Sequence, residues 1–385
     1  MNVRDLLIAL VRYAVLGGDL DIDAVQESLN EKKMATLFKV AKKHDVAHLV
    51  CYSLKKIGYC NDGEVWQSFL NEEEQARLRF EMIQADINEI CACFEEEKID
   101  YIPLKGAIIR HYYTEQWMRP SCDIDILVRE GQLDRAVSAL VEKRAYKTDY
   151  KKTFHDISLY SPFGMHLELH YNIKEKIEKY DKLLTQVWEF SSKKEENRFE
   201  YVQSNEFFIF HLISHMAYHF ICGGCGFRSV LDLWLLKNEL SIDENKLDAL
   251  LSQAELSTFY GAMIKLGEYW FENNNQADPI TSEAETFILL GGIYGTDKQA
   301  AATKQIKKGG KLKYFWSRIF LPYESLAILY PIIKKHKILT PFCQIARWLG
   351  AIFKGKRVSK EIKNVASVNK EQSEKTRGLL EGLGL

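Results

Sequence analysis

Arg119-Pro-Ser-Cys-Asp-Ile-Asp-Ile-Leu-Val128 is the stretch on which the reading of this chain turns. Asp123 and Asp125 stand two apart, so on a strand both project from one face while Ile124 and Ile126 anchor the other. Parallel carboxylates this close repel each other, and the arrangement is costly unless a cation lies between them. Hard oxygen donors of this kind favour Mg2+ or Mn2+. A third carboxylate would complete the arrangement of two-metal phosphoryl transfer, in which one ion activates a hydroxyl and the other neutralises a triphosphate. Glu168, within Met165-His-Leu-Glu-Leu-His170, is the candidate. On a strand paired beside the first it reaches the same face, and His166 and His170 share its parity.

Upstream, Leu104-Lys-Gly106 reads as a strand end, a glycine and then a helix. Glycine lets backbone approach phosphate, the helix start offers free N–H groups and Lys105 adds a point charge, which makes Lys105 and Gly106 the expected triphosphate cradle. Arg119 is a second candidate for phosphate, since a guanidinium holds two oxygens at once.

Strands and helices alternate only around these residues. Tyr101 to Leu104 reads as a short strand, Gly106 to Trp117 as a helix, Ile124 to Val128 as a buried strand and Leu133 to Lys143 as an amphipathic helix. Two further strands, Asp156 to Tyr160 and Met165 to Tyr171, meet at the turn Ser161-Pro-Phe-Gly164. An α/β core is therefore expected over 99–172. Residues 1–98 before it show helical spacing, with a long helix from Glu64 to Glu97. Residues 173–358 form a second helical region, clearest over Phe207 to Phe220, Phe227 to Leu240 and Lys246 to Phe271, and broken later by Pro322, Pro331 and Pro341. The tail 359–385 is polar and expected to be partly loose.

In order and spacing these pieces resemble the DNA polymerase beta-like nucleotidyltransferase superfamily. More narrowly, they resemble a family of uncharacterised bacterial nucleotidyltransferases carrying Leu-Lys-Gly, then Arg-Pro-x-x-Asp-Ile-Asp-Ile-Leu-Val, then an acid followed by Leu-His. The likeness extends to Phe38–Leu54, with Lys43-His-Asp-Val46, and to Phe210–Leu235, with His215, His219, Arg228 and Asp232. It implies an α+β fold: a small mixed-sheet core with N-terminal and C-terminal helical domains, the latter closing over the cleft. It also implies transfer of an NMP from an NTP such as ATP to an acceptor, with release of pyrophosphate. Asp123, Asp125 and Glu168 would be the catalytic metal ligands, Lys105 and Gly106 the phosphate contacts, and Arg119 a family-like residue without an assigned task. His170, His215, His219, Arg228 and Asp232 would shape a pocket, unless Arg228 and Asp232 merely pair along one helix face. The turn Lys105-Gly106-Ala107 departs from the Gly-Ser or Gly-Gly of many superfamily members. The acceptor is left open among a small molecule, a sugar, a peptide, a protein and an RNA end.

Bulk properties agree with a folded protein of two or three domains. Of 385 residues, 46% are hydrophobic and 27% charged. No apolar run approaches the ~20 residues of a membrane span, and no secretory signal is evident at the N-terminus, so a cytoplasmic location is expected. Eight scattered cysteines suit a reducing compartment, with no expected disulfides. Net charge is −1, yet Ala302 to Val358 holds thirteen Lys or Arg against the single acid Glu324, leaving 39 bases against 52 acids elsewhere. That asymmetry suggests an anionic partner for 302–358, either nucleic acid or a membrane surface, with Ile338 to Lys356 as an amphipathic piece.

Two rival readings belong to other classes. The chain could be a catalytically silent module that binds a nucleotide or partner through the same cleft. Alternatively His211, His215 and His219, with Cys222 and Cys225, could hold zinc or act as a redox pair; against this, Gly-rich C-x-x-C pairs also serve as helix ends.

Overall fold

The alternation in Asp123–Val128 becomes an inner strand of a four-stranded mixed sheet. The strands are β1 (Tyr101–Pro103), β2 (Asp123–Val128), β3 (Asp156–Tyr160) and β4 (His166–His170), in the spatial order β1-β2-β4-β3. β1 runs antiparallel to β2, β2 parallel to β4, and β3 antiparallel to β4. Because side chains alternate along each strand, Ile124, Ile126, Val128, Ile157, Leu159, Leu167 and Leu169 all fall on one face. Two helices cover that face: α5 (Glu64–Glu96) through Ile83, Ile90, Cys93 and Phe94, and α7 (Leu133–Arg144) through Leu133, Ala136, Val137 and Leu140. Burying each of these large aliphatic side chains contributes about 1.5–3 kcal/mol, which fixes the register and leaves the acids on the opposite face.

In this computed structural model, residues 1–196, 198–272, 277–292, 295–307, 316, 320–353 and 370–385 are described. The chain groups into two units: Met1–Tyr218 with Phe227–Ser282, and His219–Gly226 with Glu283–Leu385. The first unit contains the sheet and the helices α1 (Val3–Leu16), α2 (Ile22–Ser28), α3 (Glu31–Lys43) and α4 (Ala47–Lys56), the first three capped at Asn2, Asp21 and Asn30 by side chains that accept from N–H groups of the first turn. It also contains α8 (Glu178–Leu184), α10 (Phe227–Glu239), α11 (Glu244–Gln253) and α12 (Ser257–Phe271), and Phe227 stacks on Trp270 with ring centroids 4.4 Å apart. Helix α9 (Asn205–Cys222) begins in the first unit and contributes its last turn to the second.

Several sequence expectations change in detail. The helix expected over Gly106–Trp117 is broken into α6 (Gly106–Ile109), a 3-10 turn at Arg110–Tyr112 and another at Gln116–Met118, because Tyr113 turns extended. Tyr113 leaves the helical path to bond Asp232, and Thr114 donates to the Val15 carbonyl. The helix expected over Lys246–Phe271 divides at Glu255, whose φ of 57° lets Leu256 N–H reach Leu251 O at 2.8 Å. A small hairpin, β5 (Ser191–Lys193) and β6 (Tyr201–Gln203), has no apolar alternation to announce it. Within the tail, Lys370–Gly382 is helical, while 354–369 lie outside the described residues.

Candidate active site

The face of the sheet opposite α5 and α7 gathers the acids. Asp123 pairs in register with His166, and Asp125 with Glu168, so the two strands bring all three carboxylates to one side. Ligand atoms of Asp123, His166 and Glu168 lie within 4.8 Å of one another, as do those of Asp125, Glu168 and His170. Glu168 is common to both groups. His170 Nε2 lies 2.9 Å from Asp125 Oδ1 and 3.6 Å from Glu168 Oε2. Its ring stacks on His155 with centroids 5.3 Å apart.

Electrostatics mark this cluster as expensive without a counter-charge. Burial and the neighbouring Asp125 push Asp123 above the ordinary carboxylate pKa, and the same two causes raise Glu168. For Asp125, burial works against ionisation, but Lys105 and the His170 bond outweigh it and hold the carboxyl well below the usual range. Such a set of hard oxygens with adjacent imidazoles suits a divalent cation, and a cation would relieve the repulsion that burial strengthens.

Lys105 has φ 42° and ψ −112°, a strained conformation for a residue with a Cβ. Two contacts hold it: Leu104 N–H donates to Asp125 O at 3.0 Å, and Lys105 Nζ to Asp125 Oδ1 at 3.2 Å. Burial opposes its charge, but Asp125, Glu175 and Glu168 together raise its pKa. Gly106 is buried beside the chain leading into β2, where an added Cβ would come within 3.3 Å of Ser121 and 3.8 Å of Arg119 Nη1. The positive φ therefore falls on Lys105, and Gly106 serves close packing.

Arg119 is committed elsewhere than to open solvent. Its Nε and Nη2 embrace Asp232, with Nε 2.8 Å from Oδ1 and Nη2 2.8 Å from Oδ2, while Nη1 donates to the Pro120 carbonyl at 2.9 Å. Tyr113 Oη donates to the same Asp232 Oδ1 at 2.7 Å. Arg228 pairs with Asp45 and donates to Pro120 O at 3.0 Å, while Asp232 is held by Arg119, in place of the alternative pairing of Arg228 with Asp232 along one helix. Phe227 N–H donates to His44 Nδ1, and His48 Nε2 lies 2.9 Å from the Met118 carbonyl. The histidine-aspartate motif of the N-terminal helices, the Arg119-Pro120 dipeptide and the charged face of α10 thus form one network that grips the approach to β2.

Among the other expected pocket residues, His215 Nδ1 lies 2.6 Å from Glu175 Oε1. Burial, then Lys105, hold His215 well below the ordinary histidine pKa. Glu175 was missed by sequence reasoning: it sits in Asn172-Ile-Lys-Glu-Lys176, a charged run that looks solvated, yet it is buried. Its one sequence signal is proximity to the end of β4. His219, Cys222 and Cys225 belong to the second unit. There Gly223, at φ 119°, ends α9, and its N–H donates to Phe220 O. Among the described residues, no cluster of three or more potential ligands includes either cysteine.

A family model described as an uncharacterised nucleotidyltransferase matches residues 30–272. No curated protein and no solved structure matches the chain.

Proposed function

The chain belongs to that nucleotidyltransferase family, and from this premise we propose that it moves an NMP from an NTP to an acceptor, releasing pyrophosphate, with divalent-metal assistance at Asp123, Asp125 and Glu168. The observation that carries the reading is the register of β2 and β4, which sets Glu168 directly beside Asp125 and on the same face as Asp123. A divalent cation held there supplies charge neutralisation for a triphosphate and activation of an acceptor hydroxyl. The protein's own residues orient the site. His170 fixes Asp125 through a 2.9 Å bond and lies close to Glu168, limiting the rotamers of both carboxylates. Lys105 is held charged at the rim of the cluster, where it compensates Asp125 and can turn to a phosphate. Arg119 acts by position: by tying Asp232 to the segment before β2 it aims Asp123 and Asp125 at the shared face. NTP and acceptor enter in the same cytoplasmic setting that the sequence suggests.

Full-length protein incubated with labelled ATP, GTP, CTP or UTP, Mg2+ or Mn2+, and a cell extract should transfer label and release pyrophosphate. Asp125→Asn should abolish both. Silence of the wild-type protein under every combination, with NTP still raising its melting temperature, would instead assign a binding module.

A further inference from the structure

The second unit carries a helix whose outward face is apolar. Thr340–Phe353 has Arg347 as its only charged residue. Inward it sets Cys343 against Leu326, Ala327 and Ile333, and Gln344 donates to the Leu321 carbonyl. Outward it presents Phe342, Ile345 and Leu349 at helical spacing, with Phe342 67% and Leu349 53% exposed. Ile338, just before the helix, is 83% exposed, and Leu329 and Ile332 add to the same kind of surface. A helix on a water-soluble surface ordinarily turns its apolar stripe inward and its charges outward; here both sides are apolar.

Three further observations say what covers it. Lys334, Lys335 and Lys337 are exposed beside the stripe. No acid occurs between Ser325 and Phe353. Exposed Trp316 and Phe320 stack at 5.7 Å, and Phe320 meets Trp348 edge-on at 5.4 Å, an aromatic group of the type that sits at headgroup level. No helix among the described residues is long and apolar enough to cross a membrane. We propose that Ile332–Phe353 docks in the plane of an anionic lipid surface, the apolar stripe entering the acyl boundary while the lysines face the headgroups. A second copy of the chain fits less well, since the same face of the partner carries no acid between Ser325 and Phe353 to pair with the three lysines. Nucleic acid fits less well too, because the outward groups are mainly aliphatic and the helix itself offers phosphate only Arg347.

The test is independent of nucleotidyl transfer. Full-length protein is sedimented with vesicles of phosphatidylcholine alone and of phosphatidylcholine mixed with phosphatidylglycerol. The wild-type protein should pellet with the mixed vesicles and be released by salt. Neutralising a lysine near an anionic surface weakens binding about fivefold, so Lys334→Gln/Lys335→Gln/Lys337→Gln should lose about a hundredfold in affinity. Phe342→Glu/Leu349→Glu should lose more than about tenfold, with an unchanged melting temperature because both side chains are exposed. Equal binding by wild type and variants, or no binding to either vesicle, overturns the proposal. So does a wild-type dimer that Phe342→Glu/Leu349→Glu converts to monomer without any vesicle binding, or retention by RNA in place of lipid.

Discussion

Asp232→Ala should be among the most damaging single substitutions in the chain, although Asp232 is neither on the sheet nor among the clustered acids. Both partners of the Arg119–Asp232 pair have only 9% of the side chain exposed. Removing the carboxylate strands a buried guanidinium with the Pro120 carbonyl as its remaining partner. Breaking a buried pair from one side costs about 3–5 kcal/mol. Tyr113 Oη loses its acceptor as well, adding about 1 kcal/mol, for a total of about 4–6 kcal/mol. Guanidinium unfolding followed by circular dichroism should show the midpoint fall at constant slope. Arg119→Met/Asp232→Leu, which removes both charges and fills the space, should recover most of the loss, because the penalty lies in the uncompensated charge. A loss under about 1 kcal/mol for Asp232→Ala, or a double variant as unstable as the two singles combined, would refute the reasoning.

Asp123→Asn should raise the melting temperature of metal-free protein, since burial and Asp125 both penalise the ionised carboxyl, and should remove any rise produced by Mn2+; differential scanning fluorimetry reads both. Gly223→Ala should cost more than about 2 kcal/mol by thermal melt, because its φ is 119° and an added Cβ would meet the Ala300 backbone at 2.5 Å. His48 is held below its ordinary pKa by burial, so the unfolded chain takes up its proton first as pH falls. Its contribution is intact above about pH 6.5 and is lost below that, by up to about 1.4 kcal/mol per pH unit until the folded protein also protonates. His48→Asn should flatten the acid limb of stability measured between about pH 7 and pH 5.

The acid face was legible because strand parity and carboxylate chemistry are local properties: Asp123, Asp125 and Glu168 each carry their reading within a few residues. The long helix α5 was legible for the same reason, its stripe running through Ile83, Ile90 and Phe94. What the sequence hid depends on distant partners. Arg119 beside an expected phosphate site looks like a phosphate ligand until Asp232, 113 positions later, occupies it. Arg228 and Asp232 look like a helical pair until Asp45 takes the arginine. The expected helix through Trp117 breaks at Tyr113, which turns extended and bonds Asp232. Glu175 reads as a solvated charge because nothing near it in sequence announces His215.

The grip on Pro120 also bears on how this fold can be borrowed. Arg228, itself paired with Asp45, holds that carbonyl from outside, and Arg119 pairs with Asp232 on α10. Excising 99–172 as a portable cassette would cut every one of these ties and bare the sheet face that α5 shelters. A portable piece would therefore have to include Asp45 and extend to Trp270, which stacks on Phe227 at the head of α10.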